Sequence, residues 1–453
     1  MKNLETQSRD IHNIPAWAGQ AVSRQRSFFD ARGTREYQFR LEQLEKLKQS
    51  VVDHRQDVVL ALKADIGRPE LEAYYEILGV LEEIKYAIKH LHAWMKPRRV
   101  VTSALAQPGR SRIEYTPKGV VFLMGPYNYP FLLCLQPLVG SIAAGNCTIL
   151  QPSPLTRATS RLISKMVGEL FPEEYVRVFE GDIEVASRLL EEKFDHIFFT
   201  GSPRVGRIVM AAAARHLTPV TLELGGKSPA IVHSDCDLKV AVRRIISGKM
   251  LNAGQTCVAP DHVFVHAAIK DAFISEATRV LKEFFGNDPS QSPDFGRLIN
   301  DRHFERVKSL IDPLKVVVGG QTDKASKYIA PTLMRDVSID DAVMREEIFG
   351  PVLPVLTYDS LSEVFEQVRK LPRHPLALYL FTNSKAVEQK VLGNIQFGGS
   401  CINNTVIHVG NSHLPFGGVG ESGMGSYHGV HSFEVFSHQR SILKSATFID
   451  LKL

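Results

Sequence analysis

The sequence is poor in anything that would staple or anchor it. Cys134, Cys147, Cys236, Cys257 and Cys401 are its five cysteines in 453 residues, far apart and with no CxxC pair. An odd, scattered set argues against a disulfide framework or a zinc site and for a reducing compartment, the cytoplasm. Histidine supplies no metal set either. His428 and His431 stand three apart without a nearby Cys or acidic cluster, so both read as structural and no metal is expected. Basic charge is not concentrated: the net charge is +5, and PRR at 97–99 is the densest cluster. Without a basic stripe or an aromatic-interleaved motif, nucleic acid is not an expected partner. The opening MKNLETQSRD has no apolar signal core.

One long stretch lacks charge altogether. Residues 119–156 carry no charged side chain, and length alone would permit a membrane span. Gly125-Pro126, Pro130 and Gln136-Pro137 punctuate it, and Asn128 and Asn146 lie within it. Such breakers fit strand, loop, helix and strand buried inside a domain, so no membrane span is expected.

What is present has the rhythm of an α/β protein. The length suggests two or three domains. Residues 73–95 carry apolar positions at helical spacing, and Pro97 follows. Short apolar runs come next: GVVFLM (119–124), CTIL (147–150), VRVFE (176–180), HIFF (196–199) and VTLEL (220–224). Helix-like segments lie between them, such as 157–170 and 204–217. Strands spaced by helices imply βαβ units and a doubly wound parallel sheet. A second such region runs from a helix-like 238–251 through HVFVH, KVVVG and ALYLFT to SCINNTVI (400–407). The expected architecture is two α/β domains with a linking element, and no internal repeat stands out.

Two glycine patterns compete for a phosphate. Gly418, Gly420 and Gly423 match GxGxxG literally, but no strand precedes them and no helix follows, so they read as a tight surface loop. FFTGSPRVGR (198–207) is better placed, with Gly201, Ser202 and Gly206 between an apolar strand and a helix start. A helix start offers free N–H groups and the positive end of its dipole. The segment lacks the Lys-Ser/Thr of a P-loop, which argues against nucleotide hydrolysis. Cys257, in NAGQTCVAP (252–260), could be a buried thiol, a redox switch, a metal ligand or a nucleophile. Taken singly, Asn128 could satisfy a turn, Glu223 an ion pair, Glu347 a cap before Gly350-Pro351, and Phe349 the core.

Five segments in order remove much of that ambiguity. GPYNYP (125–130), FTGSPRVG (199–206), TLELGGKSP (221–229), NAGQTCVAP (252–260) and EEIFGPVLP (346–354) together resemble the aldehyde dehydrogenase superfamily. The tail from 411 to 440 resembles its class 3 branch. The resemblance implies NAD- or NADP-dependent oxidation of an aldehyde, medium- or long-chain aliphatic or aromatic, to a carboxylic acid. It makes Cys257 the nucleophile, because a thiolate adduct can yield a thioester that water cleaves. The Asn128 amide and the Cys257 backbone N–H become oxyanion donors, and Glu223 the base that activates water. For the cofactor it implies Gly201, Ser202, Gly206, Gln151, Ser153, Glu347 at the nicotinamide ribose, and Phe349 beside the ring. Residues 1–96 and 119–222 would form the cofactor domain and 223–405 the catalytic domain. Residues 97–118 and 406–453 would form a bridging element pairing two subunits. Membrane-bound relatives carry an apolar tail, and with SATFIDLKL at the end of this sequence none is expected.

Two departures from the family pattern matter. Tyr127 replaces the usual Trp before the loop asparagine, and ILQPSPLT (149–156) has Gln151 and Pro154 where a lysine and a glutamate usually hold the adenine ribose. The second departure leaves NAD against NADP open. Two other readings stand beside the main one: a CoA-acylating dehydrogenase, against which Glu223 argues, and a catalytically silent structural or binding paralogue.

Overall fold

A computed structural model describes residues 17–372 and 374–447. Residues 1–16 of the expected cofactor domain and 448–453 of the expected bridging element, with most of SATFIDLKL, lie outside the described residues.

The uncharged stretch is the middle of a parallel sheet. Val120–Met124 and Cys147–Gln151 are strands, and Leu132–Ala144 is the helix between them. Every residue of Val120 to Leu123 and of Cys147 to Gln151 is buried. Strands covered on both faces leave no room for an unpaired charge, which is why this segment mimics a membrane span by composition. The parallel strands lie in the order Val176–Val178, Cys147–Gln151, Val120–Met124, His196–Gly201, Val220–Leu224. Counted along the chain this is 3-2-1-4-5, with the switch point between Val120–Met124 and His196–Gly201. In doubly wound sheets, ligands settle at the strand ends beside such a point.

A sixth strand joins that sheet from the far end of the chain. Gly423–Met424 pairs antiparallel with Leu222 and Glu223. The literal GxGxxG is therefore a turn, Gly420–Ser422, that delivers a short strand to the sheet edge. Part of the stretch expected to bridge subunits thus belongs to this sheet.

The second sheet has the order Val316–Val318, Thr332–Met334, Val352–Tyr358, His262–His266, Pro229–Val232, Ala377–Phe381, Gly399–Ile402. It is parallel except at Val316–Val318, the half-buried edge that sequence reasoning took for an ordinary strand. Pro229–Val232, Thr332–Met334 and Val352–Tyr358 escaped the sequence reading, because proline and short length mask their apolar pattern. The expected strand 400–407 stops at Ile402. There the Asn403 side chain takes over the ladder, accepting from the Thr382 N–H at 3.0 Å and donating to the Thr382 carbonyl at 2.9 Å. Four residues, Gly225 to Ser228, connect the two sheets.

Arg98–Val100, Arg110–Pro117 and Ser437–Lys444 form a third, antiparallel sheet outside both. Its faces are mostly exposed or half-exposed. Among the described residues no helix is long and apolar enough to cross a membrane.

Candidate active site

The helix Leu238–Met250, capped by the Asp237 carboxylate at the Val240 N–H (3.1 Å), leads to the loop of Cys257. Three successive residues after it are left-handed: Asn252, Ala253 and Gly254, with φ of 52°, 50° and 77°. Asparagine and glycine tolerate this region, but alanine there costs on the order of 1–3 kcal/mol, so the surroundings must impose it. Asn252 supplies most of that restraint. Its N–H donates to Glu72 at 2.9 Å, and its side-chain amide donates to the carbonyls of Asn128 (2.9 Å) and Gln255 (3.0 Å). Gln255 in turn donates to the carbonyls of Asn252 and Arg297 and accepts from the Ile299 N–H. A Cβ on Gly254 would fall 2.1 Å from the Gly350 carbonyl oxygen. Only glycine lets the loop lie this close to the Phe349-Gly350-Pro351 turn. The chain then presents Cys257, with Thr256 held to the Tyr129 hydroxyl at 2.7 Å and Tyr379 donating to the Val258 carbonyl.

Behind these loops lies a buried charge network that sequence reasoning missed. Arg68 is fully buried, donates to the Asn128 carbonyl and to Glu72 (3.5 Å), and forms an ion pair with Glu76 (3.1 Å). Glu76 accepts from the N–H groups of Phe131 (3.1 Å) and Leu132 (3.0 Å), closing the loop that carries Asn128. Farther along the same helix, Glu70–Trp94, Glu83 accepts from the Gly429 N–H at 2.8 Å and the Ser432 hydroxyl at 3.0 Å. A signal was available: Glu72, Glu76 and Glu83 fall in phase with the buried apolar positions Ala73, Ile77, Val80 and Ile84. Carboxylates on the apolar face of a helix require buried partners.

Cys257 and Glu223 line one cavity of about 780 Å³, together with Thr200, Thr256, Tyr129 and Tyr427. Glu223 is 3% exposed, and neither carboxyl oxygen has a hydrogen-bond partner among the described residues. Desolvation therefore holds it well above the usual carboxylate range. The Cys257 thiol is pushed up to about 12, first by burial and then by the carboxyl groups of Glu347 and Glu223. His428 also lines this cavity, and burial, with His408 adding to it, keeps its ring neutral down to about 3. Among the described residues no group of three His, Cys, Asp or Glu could hold a metal ion.

Glu347 approaches from the second sheet. A Cβ on Gly225 would lie 2.0 Å from a Glu347 carboxyl oxygen, so this carboxyl occupies space that only glycine leaves two residues after Glu223. Burial, and then Asp261, raise Glu347 to about 8. Its segment is clamped from both sides. Arg306 donates to the carbonyls of Glu347 (3.1 Å) and Ile348 (2.7 Å). Buried Lys227 pairs with Asp261 and donates to the carbonyls of Val343 (3.0 Å) and Glu346 (2.9 Å). Asp261 accepts from the Ile348 N–H at 2.8 Å. Phe349 itself has φ 49° and sits 5.9 Å, edge to face, from the Tyr127 ring. Asn128 and Phe349 are not on the wall of the large cavity; Asn128 is tied to it through Asn252.

The cofactor candidates flank the first sheet's strand ends. His196–Gly201 runs straight into the helix Pro203–Ala214, with the Ser202 hydroxyl accepting from the Val205 N–H at 3.4 Å. Gly206 is buried in that helix against Leu224. A second cavity of about 370 Å³ opens by Ser153, Pro154, Arg157, Ser160, Arg161 and Asp182. Gln151 lies just behind it, donating to the Asp182 carbonyl at 3.4 Å and leaving its own buried carbonyl oxygen unpartnered. A helix start, an unpartnered amide oxygen and two exposed arginines fit a dinucleotide better than they fit a packed core.

The aldehyde dehydrogenase family model matches residues 15–442. The 4,4'-diaponeurosporen-aldehyde dehydrogenase of Staphylococcus aureus is 45% identical over 94% of this chain and 93% of its own length. A rat enzyme named aldehyde dehydrogenase, dimeric NADP-preferring, is 46% identical over 93% of each chain. Further relatives carry the name aldehyde dehydrogenase family 3 member. The substrate-bound structure of Staphylococcus aureus AldH superposes with a TM-score of 0.94 at 44% identity, covering 97% of this chain and 96% of that one. The chain belongs to the aldehyde dehydrogenase family.

Proposed function

We propose that this protein oxidises aldehydes to carboxylic acids with NAD or NADP. One observation carries the reading: a thiol and a buried, unpartnered carboxyl group face the same cavity. Cys257 attacks the aldehyde carbon, and the Asn128 amide with the Cys257 backbone N–H stabilises the oxygen that becomes negative. When bound, NAD(P)+ would supply the hydride acceptor. The thioester left on Cys257 is hydrolysed by a water whose proton passes to Glu223. Desolvation suits Glu223 to this task, because a base with a raised pKa draws the proton more strongly.

Ser202, Gly201 and Gly206 would hold the pyrophosphate, Gln151 and Ser153 the adenosine ribose, and Glu347 with Phe349 the nicotinamide side. The first parallel sheet supports assigning 1–96 and 119–222 to the cofactor domain, and the second supports 223–405 as the catalytic domain. The exposed sheet of 98–100, 110–117 and 437–444 is the natural seam of a homodimer, within the bridging element 97–118 and 406–453. A cytoplasmic site suits free, unpaired cysteines. The apolar cavity wall favours medium- or long-chain aliphatic or aromatic aldehydes.

The test is Cys257→Ser assayed with a panel of aldehydes and both cofactors. Turnover should fall on the order of a thousandfold or more with thermal stability preserved, since an alkoxide is far scarcer than a thiolate at neutral pH. Substantial retained dehydrogenase activity would remove Cys257 as nucleophile. Acyl transfer dependent on added CoA would replace hydrolysis by the acylating reading.

A further inference from the structure

The large cavity is apolar near Cys257, with Leu132, Leu133, Leu251, Val258, Leu376 and Val406 on its wall. It is not apolar throughout. The helix Leu238–Met250 also contributes Arg243 and Arg244 to the lining. From Arg244 to Met250, where the helix ends before the Cys257 loop, is six residues, about 9 Å of helix at ~1.5 Å per residue. Both arginines are exposed, which places them at the mouth.

The two arginines differ in their company. Arg243 is neutralised by Glu283 at 2.6 Å and lies over the Phe284 ring at 4.8 Å. Arg244 has no carboxylate within ion-pair distance among the described residues. It is nevertheless held in place. Its guanidinium donates to the Asn403 carbonyl, and its own carbonyl accepts from the Thr405 hydroxyl at 2.7 Å. Thr405 and Asn404 line the same cavity. A fixed guanidinium without a carboxylate partner, at a mouth whose exposed acid Glu82 is paired with Lys85 at 2.7 Å, is a recognition element for an anion on a long apolar body.

We infer that the preferred aldehydes carry a carboxylate or comparable anion at the end remote from the carbonyl, and that Arg244 reads it. The inference rests on the aldehyde-oxidising reading above. Placed this way, the chain buries its methylenes along the apolar wall, the carbonyl reaches Cys257, and the anion stays half-solvated at the mouth. The anion then pays little desolvation there.

Azelaic semialdehyde and its methyl ester, which share a chain length and differ in the distal charge, separate the possibilities. With unmodified protein and NAD(P), kcat/KM should be higher for the acid. Arg244→Gln should lower the acid-to-ester ratio about tenfold, as removal of one charge-assisted contact does, while Arg244→Lys should retain part of it. Added salt should lower the same ratio in the unmodified protein, a readout that needs no variant to fold. Equal kcat/KM for acid and ester, or a ratio indifferent to Arg244 and to salt, overturns the inference. Exposed Tyr75, Leu78 and Ile407 lie at the same cavity, so a lipid surface is the competing use of the cation. Binding to phosphatidylglycerol vesicles that is lost in Arg244→Gln, without any acid preference, would assign Arg244 to that surface and overturn the inference. Oxidation of neither compound nor of any other aldehyde would instead overturn the underlying enzymatic reading.

Discussion

The side-chain amide of Asn252 donates to the backbone carbonyl of Asn128 at 2.9 Å, joining two loops 124 residues apart in sequence. In the proposed mechanism one loop carries the nucleophile and the other the oxyanion donor, and this bond joins them. Asn252→Gly keeps the left-handed backbone but deletes the bond. We expect kcat/KM to fall about 10- to 100-fold, since misplacing reacting groups by small distances is costly, and stability to fall by about 1–2 kcal/mol. Steady-state kinetics beside denaturant melts checks this. A variant with unchanged kcat/KM would show that Arg68 alone holds the Asn128 loop.

Glu223→Gln separates acylation from hydrolysis. The amide cannot take the water proton, so the hydrolytic step should slow about 10²–10⁴-fold while Cys257 is still acylated. Intact-mass measurement after mixing with aldehyde and cofactor should reveal the acyl adduct. In the unmodified protein, a hydrolysis-limited kcat should rise with pH as the raised Glu223 carboxyl loses its proton, and this limb should vanish in the glutamine variant. Normal turnover without adduct would take Glu223 out of the mechanism.

With the adenosine ribose placed as proposed, the smaller cavity decides cofactor choice. Pro154 brings no carboxylate to repel a 2′-phosphate, and Arg157 and Arg161 stand on the same wall. Asp182 on that wall opposes them. The kcat/KM values for NAD and NADP should therefore lie within ~10-fold, or about 1.4 kcal/mol. Pro154→Glu should shift preference toward NAD, and Arg157→Ala with Arg161→Ala should weaken NADP more than NAD. A thousandfold preference for NAD in the unmodified protein would mean that other residues exclude the phosphate.

Buried histidines make stability pH-dependent. Burial, before any other cause, lowers His262 and His408 from 6.5 to about 4 and His428 to about 3. The unfolded chain takes up protons near pH 6.5 while these folded-state rings refuse them, so the histidine contribution to stability is full above 6.5 and falls as pH drops toward 4, opposite in sign to that of the raised Glu76 and Glu347 carboxyls. That contribution should decline from neutral pH to about 4.5, read as the difference in denaturant midpoint between the unmodified protein and a histidine variant. His428→Asn, which tolerates the local φ of 76°, should make the decline shallower. An identical slope in that variant would show that His428 is not among the groups responsible.

The sequence alone determined the alternation of strands and helices in the first sheet, because each buried strand must be apolar along its whole length and each helix on one face. It also singled out Cys257 and Glu223 as candidates, since they stand in segments whose order is itself specific, and both line the large cavity. It correctly dismissed the glycines at 418–423, for want of a strand before and a helix after. Other features were decided only in three dimensions. Arg68, Glu72 and Glu76 look like an ordinary charged helix start until burial shows them holding Asn128, Asn252 and Phe131. The strands Thr332–Met334 and Val352–Tyr358 are strands because neighbours in the sheet bury them, not because their own pattern demands it. The left-handed run at 252–254 contradicts local preference at Ala253 and exists because Glu72, Asn128 and Gly350 surround it. Local chemistry is written in local spacing, whereas the partners of a buried charge or a strained loop come from distant segments, and only packing brings those together.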